Sequence, residues 1–338
     1  MNSRSDAHRQ HTLVQRGLRR RLLAAIGSLG LAAAALAPAA QAQVGSPGKP
    51  LRLVVPFAAG GSDVMARAFA DKLGTLLKQQ VIVENKPGGA AIIGSDHVAQ
   101  SPPDGHTVLW LGGGSLTPAL IKDLKFDLFK SLRPVVSIAR GGMTLMVPAK
   151  LPVNSFAEFV QYAKRNPGQL NYSHTAGSIL LASEMLKSRA GFEATAIPYK
   201  GSTQVATALV AGEIQMGIDV PVFYLGMISD GRIKAIAHGG QERSPSLPEV
   251  PTLAELGVPD LQFAFSYGIW APAATPDAVV AQLNAAFNEV LKDADIRQRL
   301  AQAGVVPVGG EPAVHGRIVA AEQQMWAQAA RQIGYKPE

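Results

Sequence analysis

The sequence predicts an α/β protein built from two lobes, and two observations support this. The chain has 338 residues, more than one hydrophobic core usually serves, so two lobes of moderate size are expected. Segments typical of strands and of helices alternate along it, which is the pattern of layered α/β folds. Hydrophobic residues make up 47% and charged residues 17% of the chain, and this balance excludes a largely disordered protein.

The N-terminal segment has the three parts of a secretory signal peptide. Residues 16–21 are rich in arginine, residues 22–36 are apolar, and residues 40–42 place alanines at the cleavage positions. The apolar run is shorter than the roughly 20 residues that span a bilayer, which disfavours a membrane anchor. We therefore expect residues 1–42 to be a signal peptide and the mature chain to begin at Gln43 in the periplasm. The sequence leaves open whether export follows the general or the twin-arginine route.

The basic charge of the chain belongs mostly to this leader. The formal net charge is +7, but six arginines and one acid lie in residues 1–42, so the rest of the chain carries only +2. No stripe of basic and aromatic residues follows, so nucleic acid is not an expected partner.

Motifs that would indicate an enzyme or a metalloprotein are missing from the sequence. The chain has no cysteine, which excludes disulfides, thiolate metal sites and a cysteine nucleophile. No histidines of the mature chain are paired at metal-ligand spacing, and no nucleophile elbow, phosphate-binding loop or zinc-protease motif is present. We expect no metal, no cofactor and no catalytic residue.

The first part of the mature chain predicts strands and helices in parallel layers. A buried strand at residues 51–57 leads into a short glycine loop, and Ser62 or Asp63 can cap the helix that follows. Pro103-Asp104-Gly105 is a turn between a helix and the next strand. Strands are expected at residues 51–57, 80–84 and 107–111.

The second part of the chain repeats the alternation. Ser155 and Glu158 form a capping box, and Ser178 can cap another helix. Thr275 and Pro276 predict the cap and first position of a long helix, and two more helices are expected at residues 294–303 and 312–332. Strands are expected at residues 135–138, 143–147, 170–173, 193–199, 214–220, 233–237 and 263–270.

The loop after the first strand has the features of an anion site. Glycines at Gly60 and Gly61 let the backbone approach a ligand closely. A helix N-terminus presents unpaired N–H groups and a partial positive charge, so it favours a carboxylate without any cationic side chain. An ordinary strand-to-helix turn, in which the glycines serve folding alone, explains the loop equally well. Asp63 is expected to cap or to complement the helix dipole, because an inward carboxylate would repel an anion.

Two further places have side chains that a ligand can use. The loop at residues 171–178 again leads small polar residues and glycine into a helix, and His174 either touches a ligand anion or is solvated. Asp219 ends a strand, and strand C-termini face the ligand crevice in open α/β sheets. Asp219 therefore holds a ligand group or a water, or it caps the helix after Pro221.

Six short sequence stretches together resemble a known family, although any one of them alone would be too short to indicate it. They are Lys49-Pro-Leu-Arg-Leu-Val-Val-Pro-Phe-Ala-Ala-Gly-Gly61, Val83-Glu-Asn-Lys-Pro-Gly88, Pro103-Asp-Gly-His-Thr107, Pro198-Tyr-Lys-Gly201, Leu247-Pro-Glu-Val-Pro-Thr252 and Ala271-Pro-Ala-Ala-Thr-Pro276. In this order and spacing they resemble the Bug/TctC family, the periplasmic substrate-binding proteins of tripartite tricarboxylate transporters. The resemblance covers residues from about 49 to the C-terminus.

The resemblance implies a fold and a site. The fold is that of a type II-like periplasmic binding protein, with two lobes, a central mixed sheet flanked by helices in each, and a hinge of two crossing strands. The ligand carboxylate is held mainly by backbone N–H groups and waters at the lobe loops. Relatives usually have two residues between Gly61 and Asp63, whereas this chain has Ser62 alone, and the loop at residues 173–178 is also shorter.

The anion-site loop and the family resemblance together predict a monomeric receptor for a small organic carboxylate that docks on a membrane permease. Lobe 1 is expected at residues 43–142 plus 265–338 and lobe 2 at residues 143–264, with the hinge near residues 138–147 and 263–270. A sensor that signals to a membrane kinase, or an enzyme on the same fold, are the alternatives. The expected ligand-binding residues are Phe57, Ala58, Ala59, Gly60, Gly61, Ser62, Gly113, Ser115, His174, Thr175, Ser178 and Asp219.

Overall fold

The computed structural model describes residues 49–58, 61–112, 114, 116–175 and 177–337. The expected signal peptide therefore lies outside the described residues. No helix within these ranges is long and apolar enough to cross a membrane. The same ranges contain no group of three or more His, Cys, Asp or Glu side chains placed to hold a metal ion.

A six-stranded mixed sheet is built from both ends of the described chain. Its order is β11-β4-β10-β3-β1-β2, in which β1 pairs in parallel with β2 and β3, while β10 is antiparallel to β3 and β4. The strands are β1 (Leu51–Val55), β2 (Val81–Asn85), β3 (Thr107–Trp110), β4 (Leu132–Gly142), β10 (Ala264–Pro272) and β11 (Val306–Pro307).

The middle of the chain forms its own strands. Three of them make an antiparallel sheet in the order β8-β5-β9, and two more make a parallel pair, β6-β7. A bridge between Tyr172 and Met216 brings β6 beside the segment that leads into β8. The strands are β5 (Thr144–Pro148), β6 (Asn171–His174), β7 (Thr195–Pro198), β8 (Gly217–Asp219) and β9 (Ile233–His238).

Helices flank these sheets. The first and eighth helices pack on each other beside the six-stranded sheet, and the fifth and sixth pack on strands of the middle segment. They are α1 (Gly61–Leu77), α2 (Ile92–Ala99), α3 (Leu128–Ser131), α4 (Phe156–Arg165), α5 (Gly177–Ala190), α6 (Ser202–Ala211), α7 (Leu225–Ser229), α8 (Asp277–Val290), α9 (Ala294–Gln302) and α10 (Pro312–Ile333). The expected α/β fold, with mixed sheets flanked by helices, is confirmed.

The chain passes between the two sheet systems at two adjoining points. Met143 alone separates β4 from β5, and Phe263 immediately precedes β10. The Met143 N–H donates to the Phe263 carbonyl at 2.8 Å, and the Phe263 N–H donates to the Gly239 carbonyl at 2.8 Å. Both points fall in the segments expected as a hinge. Because residues Gln43–Glu338 cluster as one compact unit, the lobe boundaries stay a prediction.

Helix α10 packs on both cores. Val319 belongs to a buried cluster with Val54, Leu109 and Trp270 of the six-stranded sheet. Trp326 lies two helical turns after Val319 and belongs to the large cluster formed mostly by the middle segment. The helix therefore bridges the two sheet systems, although the sequence assigned all of it to the first lobe.

Two helices begin earlier than their predicted caps. Helix α1 begins at Gly61 and α5 at Gly177, so Ser62, Asp63 and Ser178 lie inside the first turn. A glycine has no Cβ to oppose either conformation, so it is able to join the helix from the loop. The caps predicted at Ser62 and Ser178 are therefore wrong, whereas Asp63 lies in the first turn of α1 and agrees with the alternative that it complements the helix dipole.

The cap predicted at Thr275 is also wrong, whereas the cap at Ser155 is confirmed. Pro276 occupies the cap position of α8, and the Thr275 hydroxyl is buried with no hydrogen-bond partner in the described structure. The Arg133 guanidinium donates to the Thr275 carbonyl at 2.6 Å instead. At α4 the Ser155 hydroxyl accepts from the Glu158 N–H at 3.2 Å, as a capping residue does.

Candidate functional site

A cavity of about 170 Å³ is lined by residues of β10, of the segments after β1 and β3, and of the helices α5 and α10. We call it the Phe57 cavity. Its wall includes Phe57 after β1, Ser178 in the first turn of α5, Tyr267 on β10, and Glu322 and Trp326 on α10. No lysine, arginine or histidine is among the described residues that line it. Any preference for an anion there must come from backbone dipoles and neutral donors.

The structure brings only some of the expected ligand-binding residues to this cavity. Phe57 and Ser178 line it, and Asp219 immediately precedes the lining residue Val220. Ala58, Gly61 and Ser62 are near in sequence but are not among the lining residues. The remaining loop positions lie outside the described residues: Ala59, Gly60, Gly113 and Ser115.

His174 and Thr175 line a different cavity. It has a volume of about 270 Å³ and also contacts Gly177, Leu120 and the C-terminal Tyr335. We call it the His174 cavity. Gly177 lines this cavity and its neighbour Ser178 lines the Phe57 cavity, so the two cavities lie on either side of the start of α5. The single loop expected to contact one ligand is therefore divided between two spaces.

A hydrogen-bond network fixes the loop that carries Phe57. The Asn85 side-chain amide donates to the Phe57 carbonyl at 3.0 Å. Arg67 donates to both oxygens of Asp63, each at 3.0 Å, and to the Asn85 side-chain oxygen at 3.2 Å. The Arg67 guanidinium holds the pKa of Asp63 below its ordinary value. Asp63 is therefore engaged within its own helix, in agreement with the expectation that it does not face an anion.

Asp219 is held by groups of its own loop. One oxygen accepts the Val220 N–H at 2.7 Å, and the other accepts the Tyr224 hydroxyl at 2.7 Å. Burial raises the pKa of this carboxyl, because desolvation disfavours its charged form. The cap predicted after Pro221 is wrong, because neither short helix there has a side-chain cap. Asp219 instead fixes the turn after β8, beside the lining residue Val220.

Glu322 is a lining residue that the sequence analysis did not identify. It is 9% exposed, and its Oε2 accepts the Ser266 hydroxyl at 3.1 Å. Burial raises the pKa of Glu322 to about 8, so the side chain is a neutral acid at pH 7. The sequence does carry a signal for Glu322. Its spacing from Val319 and Trp326 places it on the buried face of an amphipathic helix, where an acidic residue is rare unless it has a partner or a function.

Glycines bring the loop after β3 against this carboxyl. A Cβ on Gly114 would lie 2.1 Å from Oε2 of Glu322, and a Cβ on Gly112 would lie 1.9 Å from the Ser266 carbonyl. Neither position tolerates a larger residue without a shift of its neighbours. The loop, Ser266 and Glu322 therefore form one closely packed wall.

Comparison with known proteins identifies the family. Residues 65–335, well over half of the chain, match the model of the tripartite tricarboxylate transporter family receptor, TctC. The chain belongs to the Bug/TctC family. Among relatives of this TctC-family protein, the UPF0065 protein in the tcbD-tcbE intergenic region of Pseudomonas sp. (strain P51) is 36% identical over 91% of this chain and 92% of its own. BugT of Bordetella pertussis is 32% identical over 94% of this chain and 98% of its own.

Solved structures of similar proteins support the same family assignment. R. palustris Rpa4515 with adipate superposes with a TM-score of 0.79 at 33% identity, covering 87% of this chain and 100% of its own. MatC from Rhodopseudomonas palustris with bound malate superposes with a TM-score of 0.73 at 29% identity, covering 84% and 99%. A third, BugD, is a periplasmic binding protein that superposes with a TM-score of 0.75 at 29% identity, covering 86% of this chain and 100% of its own. Solved relatives thus include a periplasmic binding protein and two proteins that hold dicarboxylates.

The raised pKa of Glu322 predicts an unusual pH dependence of stability. Between pH 5 and pH 8 the native state keeps a proton that the unfolded chain has lost, so the free energy of unfolding falls as pH rises. Glu322→Gln has no titrating carboxyl at this position, so its free energy of unfolding does not fall with pH for this reason. We expect the unfolding free energy of E322Q, relative to the unsubstituted protein, to increase by about 1 kcal/mol per pH unit across this range. Urea denaturation at pH 5, 6, 7 and 8 measures it.

Glu311 supplies the matched control for this experiment. It is exposed and immediately precedes the same helix. The relative stability of E311Q should not change in this way between pH 5 and pH 8. A flat profile for E322Q as well would mean that Glu322 is charged in the native protein.

Proposed function

We propose that the mature chain is a periplasmic receptor that captures a small organic carboxylate and delivers it to the membrane permease of a tripartite transporter. The observation that carries this proposal is the Phe57 cavity, whose described wall joins the ends of strands, the first turn of α5 and neutral donors, with no cationic side chain. Such a wall favours an anion through backbone N–H groups and helix dipoles. The adipate and malate held by two relatives support the same ligand class.

The wall of the cavity suits a ligand with both a polar and an apolar part. Phe57 and Trp326 offer aromatic surface, whereas Ser178 and Tyr267 carry hydroxyl groups. Burial raises the pKa of Tyr267 to about 12, so its phenol stays a neutral donor at physiological pH. We infer a carboxylate with a short carbon skeleton, because the volume of about 170 Å³ leaves room only for a small molecule.

The proposed mechanism is closure of two lobes about the crossing strands. We place lobe 1 at residues 43–142 plus 265–338 and lobe 2 at residues 143–264, with α10 packed across both. A ligand that contacts both lobes shifts the population toward the closed form, and the permease binds that form. On this proposal the receptor acts as a monomer and performs no catalysis.

Export is part of the proposal, because a receptor of this kind works outside the cytoplasm. The sequence of residues 1–42 supports it, and relatives of known structure are periplasmic binding proteins. Protein recovered from the periplasmic fraction of an expressing cell should begin at Gln43 on N-terminal sequencing. Recovery of the chain only from the cytoplasm, with residue 1 intact, would contradict export.

A thermal-shift screen tests the ligand class directly. The mature protein is heated with adipate, malate, benzoate and glutamate, and in parallel with their uncharged methyl esters or amides. A molecule that binds the native state alone raises the melting temperature, and at one hundred times its dissociation constant it adds about 2.7 kcal/mol. We expect at least one free carboxylate to stabilise the protein and its ester to have no effect. Stabilisation by the esters alone, or consumption of the ligand, would overturn the proposal.

A further inference from the structure

Glu322 places an acid in a site proposed for anions. Among the described residues that line the Phe57 cavity it is the only carboxyl, and Ser266 on the neighbouring strand β10 donates to its Oε2 at 3.1 Å. Gly114 packs its backbone on the same oxygen. The carboxyl is therefore a fixed part of the wall and does not move freely into solvent.

Within the described ranges, no salt bridge joins this carboxyl to a cation of the elements packed around it. On β10 the neighbouring titratable group is Tyr267, and on β4 the Arg140 guanidinium donates to Gln241 and Glu242. The loop at residues 111–121 has no charged side chain. Arg133 of β4 pairs with Asp277. On α5, Glu184 and Lys187 pair with each other and Arg189 pairs with Asp260. On α10 the remaining groups are His315 and the exposed Arg317 and Arg331.

His315 does not supply that charge either. It lies in the buried stripe of α10 two turns before Glu322, and its ring packs on Trp270 with 4.7 Å between centroids. Burial lowers the pKa of His315 to about 3, so the ring is neutral at physiological pH. His238 and Arg243 border Glu322 across a separate cavity, where burial lowers the pKa of His238 to about 4 and Arg243 pairs with Glu255.

A buried carboxyl without a cation is stable as the neutral acid, which has one O–H donor. Because Oε2 accepts from Ser266, the proton of the neutral acid belongs on the other oxygen, Oε1. An O–H donor and an ionised carboxylate form a short, strong hydrogen bond. An ionised Glu322 would instead repel any carboxylate that enters.

We propose that Glu322 is a specificity-determining residue of the carboxylate site, where it binds the ligand as the neutral acid and donates a hydrogen bond to a ligand carboxylate oxygen. This inference rests on the proposed function and adds the pH range in which the receptor binds its ligand. Binding is expected to be strong at neutral and mildly acidic pH, where the proton is present. Above pH 8 the free protein must take up a proton to bind, so the affinity falls by up to tenfold per pH unit.

Titration calorimetry from pH 6 to pH 10 tests this proposal, with adipate, malate and benzoate as probes. At pH 9 the binding heat, compared between buffers of different ionisation enthalpy, should report uptake of about one proton per bound carboxylate. Glu322→Gln donates at every pH and should show no pH dependence. Glu322→Ala lacks the donor and should bind at least tenfold more weakly than the unsubstituted protein at pH 6. The exposed Glu311→Gln is the matched control and should keep the full pH profile.

The outcomes separate this inference from the proposed function. If a carboxylate binds with the same affinity at pH 6 and pH 10, or if E322A binds as tightly as the unsubstituted protein, the inference is wrong and the receptor proposal stands. An affinity that rises with pH would mean that an ionised Glu322 holds a cationic or donor group, which also overturns the inference. If none of the three probes binds at any pH, the proposed function and the inference fail together.

Discussion

Helix α10 buries one continuous stripe of side chains, and both cores of the protein pack against it. His315 and Val319 contact the core of the six-stranded sheet, and Trp326 and Ala329 contact the core of the middle segment. Glu322 lies between these two groups and is therefore carried into the cavity by apolar packing on either side. Gly268 shows how tight this packing is, since a Cβ there would lie 2.0 Å from the His315 ring. The position of the site thus depends on the burial of a helix that is far in sequence from the loop of Phe57 and the start of α5.

The proposed function requires the Phe57 cavity to bind an anion although no cationic side chain is among its described lining residues. Ser178 in the first turn of α5 lines it, and Asn85, held by Arg67, fixes the carbonyl of the lining residue Phe57. Preorganised dipoles of this kind bind an anion without the cost of desolvating a lysine or an arginine. Neutral donors complete the set, because burial keeps the phenol of Tyr267 and the carboxyl of Glu322 protonated at pH 7.

Much of the fold follows from the sequence, because strands and helices are local patterns. The segments around residues 51–57 and 107–111, and the helix expected at residues 312–332, occupy nearly the predicted ranges. The helix starts were less predictable. A serine after glycine has the chemistry of a cap, but at Ser62 and Ser178 the glycine itself enters the helix, and only tertiary packing decides between these possibilities.

The candidate site was harder to derive, because its residues come from distant parts of the chain. Phe57 and Ser178 were found through their loops, whereas Ser266, Tyr267, Glu322 and Trp326 reach the cavity by pairing of β10 and packing of α10. His174 is the opposite case. Its loop suggested one site, but the start of α5 separates its cavity from that of Ser178. Closeness in sequence is enough to predict that residues 171–178 form a loop before a helix. It does not predict that His174 and Ser178 line different cavities at the start of α5.

A crystal structure of the mature protein with a bound carboxylate would test the central claim most directly. We expect the ligand carboxylate in the Phe57 cavity, with one oxygen within hydrogen-bond distance of backbone N–H groups at the start of α1 or α5. We also expect contact between the ligand and the Glu322 carboxyl. A ligand bound in the His174 cavity, or one whose carboxylate points away from both helix starts, would contradict the account.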